Sequence, residues 1–184
     1  TTIQQLLLQS ARPEAKLARE KFIPGTVKTY GVYNPVLNML AKQFKEGGFK
    51  LVEELWKAGA WEEKIMAGKM LGLMAKKDPV KAIQLVKKFS ASIEDWAVCD
   101  TLGMQALKPL IKTHSKEIFT LASELNNAQD VWQKRLSLVL VEWYTRDKSY
   151  HAAINQLIRN LERDDAYYVK KAITWLRKNF EKGK

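Results

Sequence analysis

Apolar residues recur along most of this sequence at intervals of three and four, which is the periodicity of a helix that buries one face. The dipeptides that mark β-hairpin turns, Asn-Gly and Asp-Gly, are absent. Prolines fall where a first helical turn tolerates them, at Pro13, Pro35 and Pro79. The pattern predicts about eleven helices, over roughly residues 2–11, 13–22, 35–46, 49–58, 60–76, 79–90, 93–112, 115–126, 130–146, 149–161 and 165–181. The side chains that we expect to cap helix starts are Asp78, Ser115, Asp130 and Asp164.

Four aromatic residues mark a repeat in the later part of the chain. Trp61, Trp96, Trp132 and Tyr168 are separated by 35, 36 and 36 residues, and a shorter predicted helix precedes the long helix that each one opens. Units of this length built from two helices stack into an α-solenoid, in which each repeat contacts its neighbours. The signature motifs of tetratricopeptide and ankyrin repeats are absent, so we expect HEAT-like helical hairpins.

One position of the repeat breaks its pattern. Four residues after the aromatic anchor, three repeats carry an apolar residue, at Ile65, Leu136 and Ala172, whereas the other repeat carries Asp100. The neighbouring column, three residues after the anchor, reads Lys64, Cys99, Arg135 and Lys171. Because equivalent helices of a solenoid run parallel, such columns become rows across one surface. We therefore expect a concave basic face with an acid inside it.

Length and charge narrow the class of protein. A chain of 184 residues suits a single domain, and we expect one over residues 1–184, with N-terminal helices over about 1–47 and hairpin repeats over about 49–181. The net charge of +11 favours polyanionic partners such as nucleic acids. Because the sequence shows a single cysteine, no leader and no membrane-length apolar run, we expect a soluble, cytoplasmic protein away from the membrane.

Metal and cofactor chemistry have little support in the sequence. His114 and His151 are far apart and lack Cys or carboxylate partners at ligand spacing. The phosphate-binding loop of nucleotide hydrolases and the Rossmann glycine fingerprint are both absent. We therefore expect no metal site and no cofactor.

Asp100 is the first candidate for chemistry, because a solenoid has no structural need for an acid where its sister repeats are apolar. The alternative is a salt bridge to a nearby Arg or Lys. Trp96 lies four residues earlier, so the two side chains share one helical edge. Trp175 lies seven residues after its own anchor, on the same side of the predicted face. Packing in the core or against a neighbouring helix is the alternative for both tryptophans.

Three short motifs together resemble the HEAT-like-repeat DNA glycosylases of the DNA alkylation repair family. They are Trp96-x₃-Asp100, Trp132-Gln-Lys-Arg135 and Lys171-Ala-Ile-Thr-Trp175. The stretch at residues 30–35 is similar to that family's entry into its first conserved repeat, and Leu55-Trp56 followed by Trp61-Glu62-Glu63 is similar to the next. The resemblance extends from about residue 20 to about residue 180 and adds an expected activity to the fold.

The resemblance implies a monofunctional glycosylase that acts on duplex DNA and hydrolyses the glycosidic bond of cationic purines such as 3-methyladenine and 7-methylguanine. It implies that Asp100 stabilises the developing sugar cation and positions water, and that Trp96 and Trp175 contact the deoxyribose. Arg135 would contact a backbone phosphate. The further DNA-binding candidates are Trp132, Lys64 and Lys171. We expect a monomer; the alternative is a non-catalytic HEAT-like scaffold that binds DNA or an acidic protein.

Overall fold

The computed structural model describes residues 2–23 and 28–182, and every regular element in that part of the chain is helical. The predicted all-helical, single-domain fold is confirmed. Its eleven α-helices are α1 (Ile3–Gln9), α2 (Pro13–Phe22), α3 (Asn34–Gln43), α4 (Gly48–Ala58), α5 (Trp61–Met74), α6 (Pro79–Ser90), α7 (Trp96–Thr101), α8 (Ser115–Asn126), α9 (Val131–Val139), α10 (His151–Asn160) and α11 (Tyr167–Lys182). Short 3₁₀ turns cover Lys45–Gly47, Lys108–Leu110, Glu142–Arg146 and Lys148–Tyr150.

The helix starts follow local chemistry closely. The three prolines that we assigned to first helical turns lie at the first or second position of α2, α3 and α6. Asp78 and Asp130 accept hydrogen bonds from the backbone N–H three residues later, as expected of caps. Asp164 accepts one from the N–H two residues later, just before α11. The prediction for Ser115 is wrong: Ser115 is the first helical residue, and His114 takes the cap position, its carbonyl accepting the first intrahelical bond.

Two long helices predicted from the sequence are interrupted in the structure. The helix predicted over 93–112 begins at Trp96, changes to a π-helical turn at Leu102–Ala106 and ends in a 3₁₀ turn. Pro109 accounts for the ending, because proline lacks an N–H and clashes with the carbonyl four residues earlier in a helix. The helix predicted over 130–146 ends near Val139, since the backbone leaves the α-helical region at Val141.

The π-helical turn is packed between α5 and α9, where glycines permit close approach. A Cβ atom on Gly72 of α5 would overlap the carbonyl oxygen of Gln105 within that turn. A Cβ on Gly103 would lie 2.8 Å from Cβ of Val139 on α9. The absence of a side chain at these two positions thus allows the π-helical turn to pack closely against α5 on one side and α9 on the other.

The anchor aromatics occupy matching places in the fold. Trp61 and Trp96 are the first residues of α5 and α7, and Trp132 and Tyr168 are the second residues of α9 and α11. These four helices contact one another in succession, and α6, α8 and α10 do the same. A single cluster of buried apolar side chains spans this part of the chain and the N-terminal helices. A continuous solenoid curve and a concave basic face stay predictions.

A buried carboxylate attaches the N-terminal helices to α5. Glu62 is fully buried and accepts hydrogen bonds from Arg19 on α2 and from the hydroxyl of Thr29. It also accepts the backbone N–H groups of three consecutive residues, Tyr30, Gly31 and Val32. A buried charge is tolerated only when it is paired and hydrogen-bonded in this way. Glu62 therefore fixes α2 and the segment before α3 beside α5.

We expect Gly72→Ala to lower the free energy of unfolding by about 1–3 kcal/mol, because the new methyl group would push against the backbone of the π-helical turn. Urea unfolding followed by circular dichroism measures the change. Gly68→Ala is the matched control on the same helix, since its Cβ would lie 2.9 Å from a side-chain methyl group of Thr101 and 3.8 Å from the nearest backbone atom, the nitrogen of Leu102. Equal stability of the two variants would show that the close approach at Gly72 does not constrain the packing.

Candidate active site

A cleft of about 670 Å³ opens where α2, α5 and α7 meet, beside the start of α3. Its lining is largely apolar and aromatic, and it includes Phe22, Tyr33, Trp61 and Trp96. Asp100 is the one carboxylate in this lining among the residues that the structure describes. An apolar cleft with few polar groups is the usual form of a small-molecule or catalytic site.

Asp100 is held by a two-pronged ion pair with Arg135 of α9. Nε and Nη2 of Arg135 each donate to a different carboxylate oxygen at 2.9 Å, and Nη1 donates to the carbonyl of Tyr168 at 2.7 Å. The side chain of Asp100 is 25% exposed, whereas that of Arg135 is only 8% exposed. Two parallel bonds of this kind fix the direction of the carboxylate as well as its position.

The charge on Arg135 is secured by its partner. Burial disfavours the guanidinium, but its hydrogen bonds to Asp100 and the attraction of that charge outweigh burial, so the pKa of Arg135 is raised. The guanidinium of Arg135 therefore keeps its positive charge although it is buried.

Asp100 is the polar member of a repeat position that is otherwise apolar. Its sister residues Ile65, Leu136 and Ala172 are at most 2% exposed and belong to the core. Asp100 occupies the corresponding position of the shortest of these helices, where the chain changes to the π-helical turn one residue after Thr101. Its carboxylate thus stands at the edge of the core, with Arg135 behind it and the cleft in front.

Trp96 borders the cleft and is held in place through its backbone and through its side chain. Asp95, directly before it, caps α7 by accepting the N–H groups of Ala97 and Val98 at 2.8 and 2.9 Å. Burial raises the pKa of Asp95, although these N–H donors oppose the shift. The indole N–H of Trp96 donates to the carbonyl of Phe22 at 3.3 Å, which connects α7 with the end of α2. Trp96 therefore shares the cleft with Asp100.

Most of the repeat column that we expected to form a basic row is buried. Its members are Lys64, Cys99, Arg135 and Lys171. Lys64 is 8% exposed, and its ammonium donates to Glu94 at 2.8 Å and to the carbonyl of Ser92 at 3.0 Å. Cys99 is completely buried, and Arg135 is 6% exposed. Lys64 and Arg135 are thus buried and each paired with a carboxylate. They therefore do not form the exposed row that the helical wheel suggests. Lys171 is exposed, with its ammonium 5.3 Å from the ring of Tyr167.

Two of the predicted tryptophans lie outside the cleft lining. The ring of Trp132 packs on Tyr168, with centroids 4.8 Å apart, and its carbonyl accepts the thiol of Cys99. Trp175 is half-buried on α11, two helical turns beyond Tyr168. The structure thus brings together Trp96, Asp100 and Arg135 and places the ring of Trp132 against Tyr168. The roles predicted for Trp175, Trp132, Lys64 and Lys171 stay predictions.

Sequence reasoning missed several residues of the cleft. Arg19 and Phe22 come from α2, and no sequence signal connects that helix with α7. Lys69 lines the cleft four residues after Ile65 and eight after Trp61, so the helical spacing could have identified it. The π-helical turn adds Gln105.

The described residues contain neither a candidate metal site nor a candidate membrane-spanning helix. No three His, Cys, Asp or Glu side chains there are grouped as a metal ion would require. None of the helices in the described ranges combines the length and apolar character needed to cross a membrane.

Comparison with known proteins bears on the whole chain. The family described as DNA alkylation repair enzyme matches residues 3–182. A comparison with curated individual proteins finds no match. The matched range contains the cleft, both partners of the Asp100–Arg135 pair and all four anchor aromatics.

Cys99 offers a test of how closed this part of the fold is. Burial, reinforced by the neighbouring charge of Asp100, raises the pKa of the thiol well above its ordinary value. Because the thiolate is the reactive form, we expect no reaction with a thiol-specific reagent in the native protein at neutral pH. In denaturing urea we expect one equivalent of label, since the chain contains one cysteine. Rapid labelling of the native protein would show that α7 and α9 separate readily.

Proposed function

Since this chain belongs to the DNA alkylation repair enzyme family, we propose that it removes N-alkylated purines from duplex DNA by hydrolysing the bond between base and sugar. The observation that carries the proposal is the carboxylate of Asp100, which is partly exposed in an apolar cleft and fixed by two hydrogen bonds from Arg135. Membership of the family gives a role in the repair of alkylated DNA. The glycosylase chemistry is inferred from Asp100.

Alkylation at N3 or N7 of a purine places positive charge on the base, which weakens the glycosidic bond. The base then leaves as a neutral molecule, so the enzyme needs no acid to protonate it. The positive charge develops instead on the sugar in the transition state. A preorganised carboxylate in a low-dielectric cleft stabilises such a charge strongly, because it does not have to reorient as the bond breaks. We assign this role to Asp100, which would also orient the attacking water.

Arg135 acts as the positioning residue for Asp100 in this proposal. Three of its N–H groups are used by Asp100 and the carbonyl of Tyr168, of the five that a guanidinium carries. The remaining groups could reach a phosphate, as the sequence suggested, but the small exposure of the side chain supports an inward role first.

The tryptophans supply the surface against which the sugar would rest. Trp96 borders the cleft and is held by its bond to Phe22, so its ring is available at a fixed place beside Asp100. An aromatic face attracts positive charge, which suits a sugar that becomes cationic. We propose that Trp175 approaches the same sugar from α11, and that Trp132, Lys64 and Lys171 contribute to binding duplex DNA. The protein would act as a cytoplasmic monomer.

The alternative is a non-catalytic scaffold, and one observation favours it. An Asp–Arg pair with a mostly buried arginine also serves to hold two helices together. A scaffold would use the basic surface to bind DNA or an acidic protein and would leave the glycosidic bond intact.

Release of methylated bases separates the two functions. We expect Asp100→Asn to reduce the single-turnover release of 7-methylguanine and 3-methyladenine from methylated duplex DNA by a factor on the order of 10²–10³, because the charge is needed in the transition state. Affinity for the DNA should be retained, since a ground-state contact with neutral sugar is weak. Chromatography of the released bases, beside a reaction without protein, gives the rate.

Asp164→Asn is the matched control. Asp164 pairs with Lys134, the residue before Arg135, at 2.7 Å, and its side chain is 14% exposed, but it lies outside the cleft lining. Both variants lose a half-buried ion pair, so both should melt at a lower temperature, yet only Asp100→Asn should lose base release. Equal activities in the two variants, or an inactive wild-type protein that binds DNA, would favour the scaffold.

Binding to undamaged duplex DNA tests the electrostatic part of the proposal. The logarithm of the association constant should fall linearly with the logarithm of salt concentration, with a slope of roughly −0.9 per phosphate neutralised. Lys171→Ala should reduce that slope by about one such contact, whereas Lys50→Ala, at an exposed position on α4 beside Glu54, should leave it unchanged. Fluorescence anisotropy measures both. Lack of binding even at low salt contradicts the proposal.

A further inference from the structure

Lys69 lines the cleft and has no part in the glycosylase chemistry proposed above. It lies on the same face of α5 as Trp61 and Ile65, and with them it lines the cavity that contains Asp100. Among the described residues of that lining, Lys69 is the one with a primary amine; the other cation there, Arg19, is engaged by Glu62. The site therefore places one amine and one carboxylate in a common cavity.

The surroundings of Lys69 differ from those of Lys64 and Lys134, two other lysines that are largely removed from solvent. Lys64 and Lys134 are each paired with a carboxylate, at 2.8 and 2.7 Å. Lys69 has no carboxylate within salt-bridge distance in the described part of the chain, and its hydrogen-bond partner there is the amide oxygen of Gln105 at 3.3 Å. Burial without a compensating anion lowers the pKa of Lys69, so a larger fraction of this amine is neutral than in an ordinary lysine.

We propose that Lys69 attacks C1′ of the abasic sugar and gives the protein a second activity, cleavage of the DNA strand at abasic sites. The inference rests on the proposed function for the placement of the sugar in this cleft, because hydrolysis of the glycosidic bond leaves an abasic sugar beside Asp100. A neutral amine in a partly desolvated site is the form that adds to carbonyl carbons. The resemblance implied a monofunctional enzyme, and the environment of Lys69 goes beyond that expectation.

The steps balance without any further reactant except water. The amine lone pair of Lys69 forms a bond to C1′ of the ring-opened aldehyde, and the adduct loses water to give a protonated imine. A proton at C2′, made acidic by the imine, passes to water. The C3′–O bond then breaks, and the phosphate leaves with the bonding electron pair. Addition of water to the imine releases the unsaturated aldehyde and restores the amine.

Borohydride trapping tests the proposal directly. The substrate is duplex DNA with one abasic site, prepared beforehand by removing a uracil with a separate enzyme. Borohydride reduces the imine to a stable amine, so the wild-type protein should form a covalent complex that migrates slowly in a denaturing gel. Mass spectrometry of the digested complex should place the sugar on Lys69. The complex should be lost in Lys69→Met and retained in Lys76→Met, a change at an exposed lysine just beyond α5 that is outside the cleft lining.

The Lys69→Arg variant tests whether the loss of trapping comes from misfolding or lost charge instead of from the lost amine. It keeps the positive charge and the length of the side chain but forms no imine, so it should bind abasic DNA like the wild type and fail to be trapped. Absence of a trapped complex with wild-type protein, attachment at another amine, or trapping that survives both Lys69 variants would overturn the proposal. Because the substrate already lacks its base, these results are independent of glycosylase activity; failure to release methylated bases alongside normal trapping would overturn the proposed function alone.

Discussion

The carboxylate of Glu62 carries a negative charge in a place from which water is excluded, and the geometry of the cleft follows from how that charge is satisfied. Its oxygens accept hydrogen bonds from a guanidinium, a hydroxyl and three consecutive backbone N–H groups. Loss of one partner would leave a buried charge partly uncompensated, at a cost of several kcal/mol. Since α2 forms one wall of the cleft and α5 another, the contacts of Glu62 help to fix the position of both walls.

Ion pairs connect neighbouring repeats, and they run in two directions along the chain. Lys64 of α5 and Lys134 of α9 each reach forward to an acid just before the next long helix, at Glu94 and Asp164. Arg135 reaches backward, to Asp100 near the end of α7. The forward pairs connect helix ends and remain outside the cleft. The backward pair places a carboxylate in the cleft, where it can take part in chemistry. The two forward pairs only hold neighbouring helices together.

The sequence supported the fold better than the site. Helical periodicity predicted the bounds of α6 and α8 correctly, and the spacing of the aromatics predicted which residues open the long helices. Asp100 stood out because its sister positions are apolar. The orientation of the Lys64–Arg135 column was not predictable, because α5 is buried on nearly all sides and a helical wheel then cannot separate core from surface. The contacts of Glu62 and the π-helical turn depend on backbone groups from remote segments, which leave no periodic trace in a sequence.

Cys99 lies next to Asp100 in the chain, yet its side chain is completely buried and the pKa of its thiol is raised well above the ordinary value. Agents that alkylate purines are electrophiles, and a thiolate is a better target for them than any base. A protein of alkylation repair has to work while such agents are present. With its one thiol buried and the pKa of that thiol raised, this protein keeps its cysteine away from the agents that create its substrate.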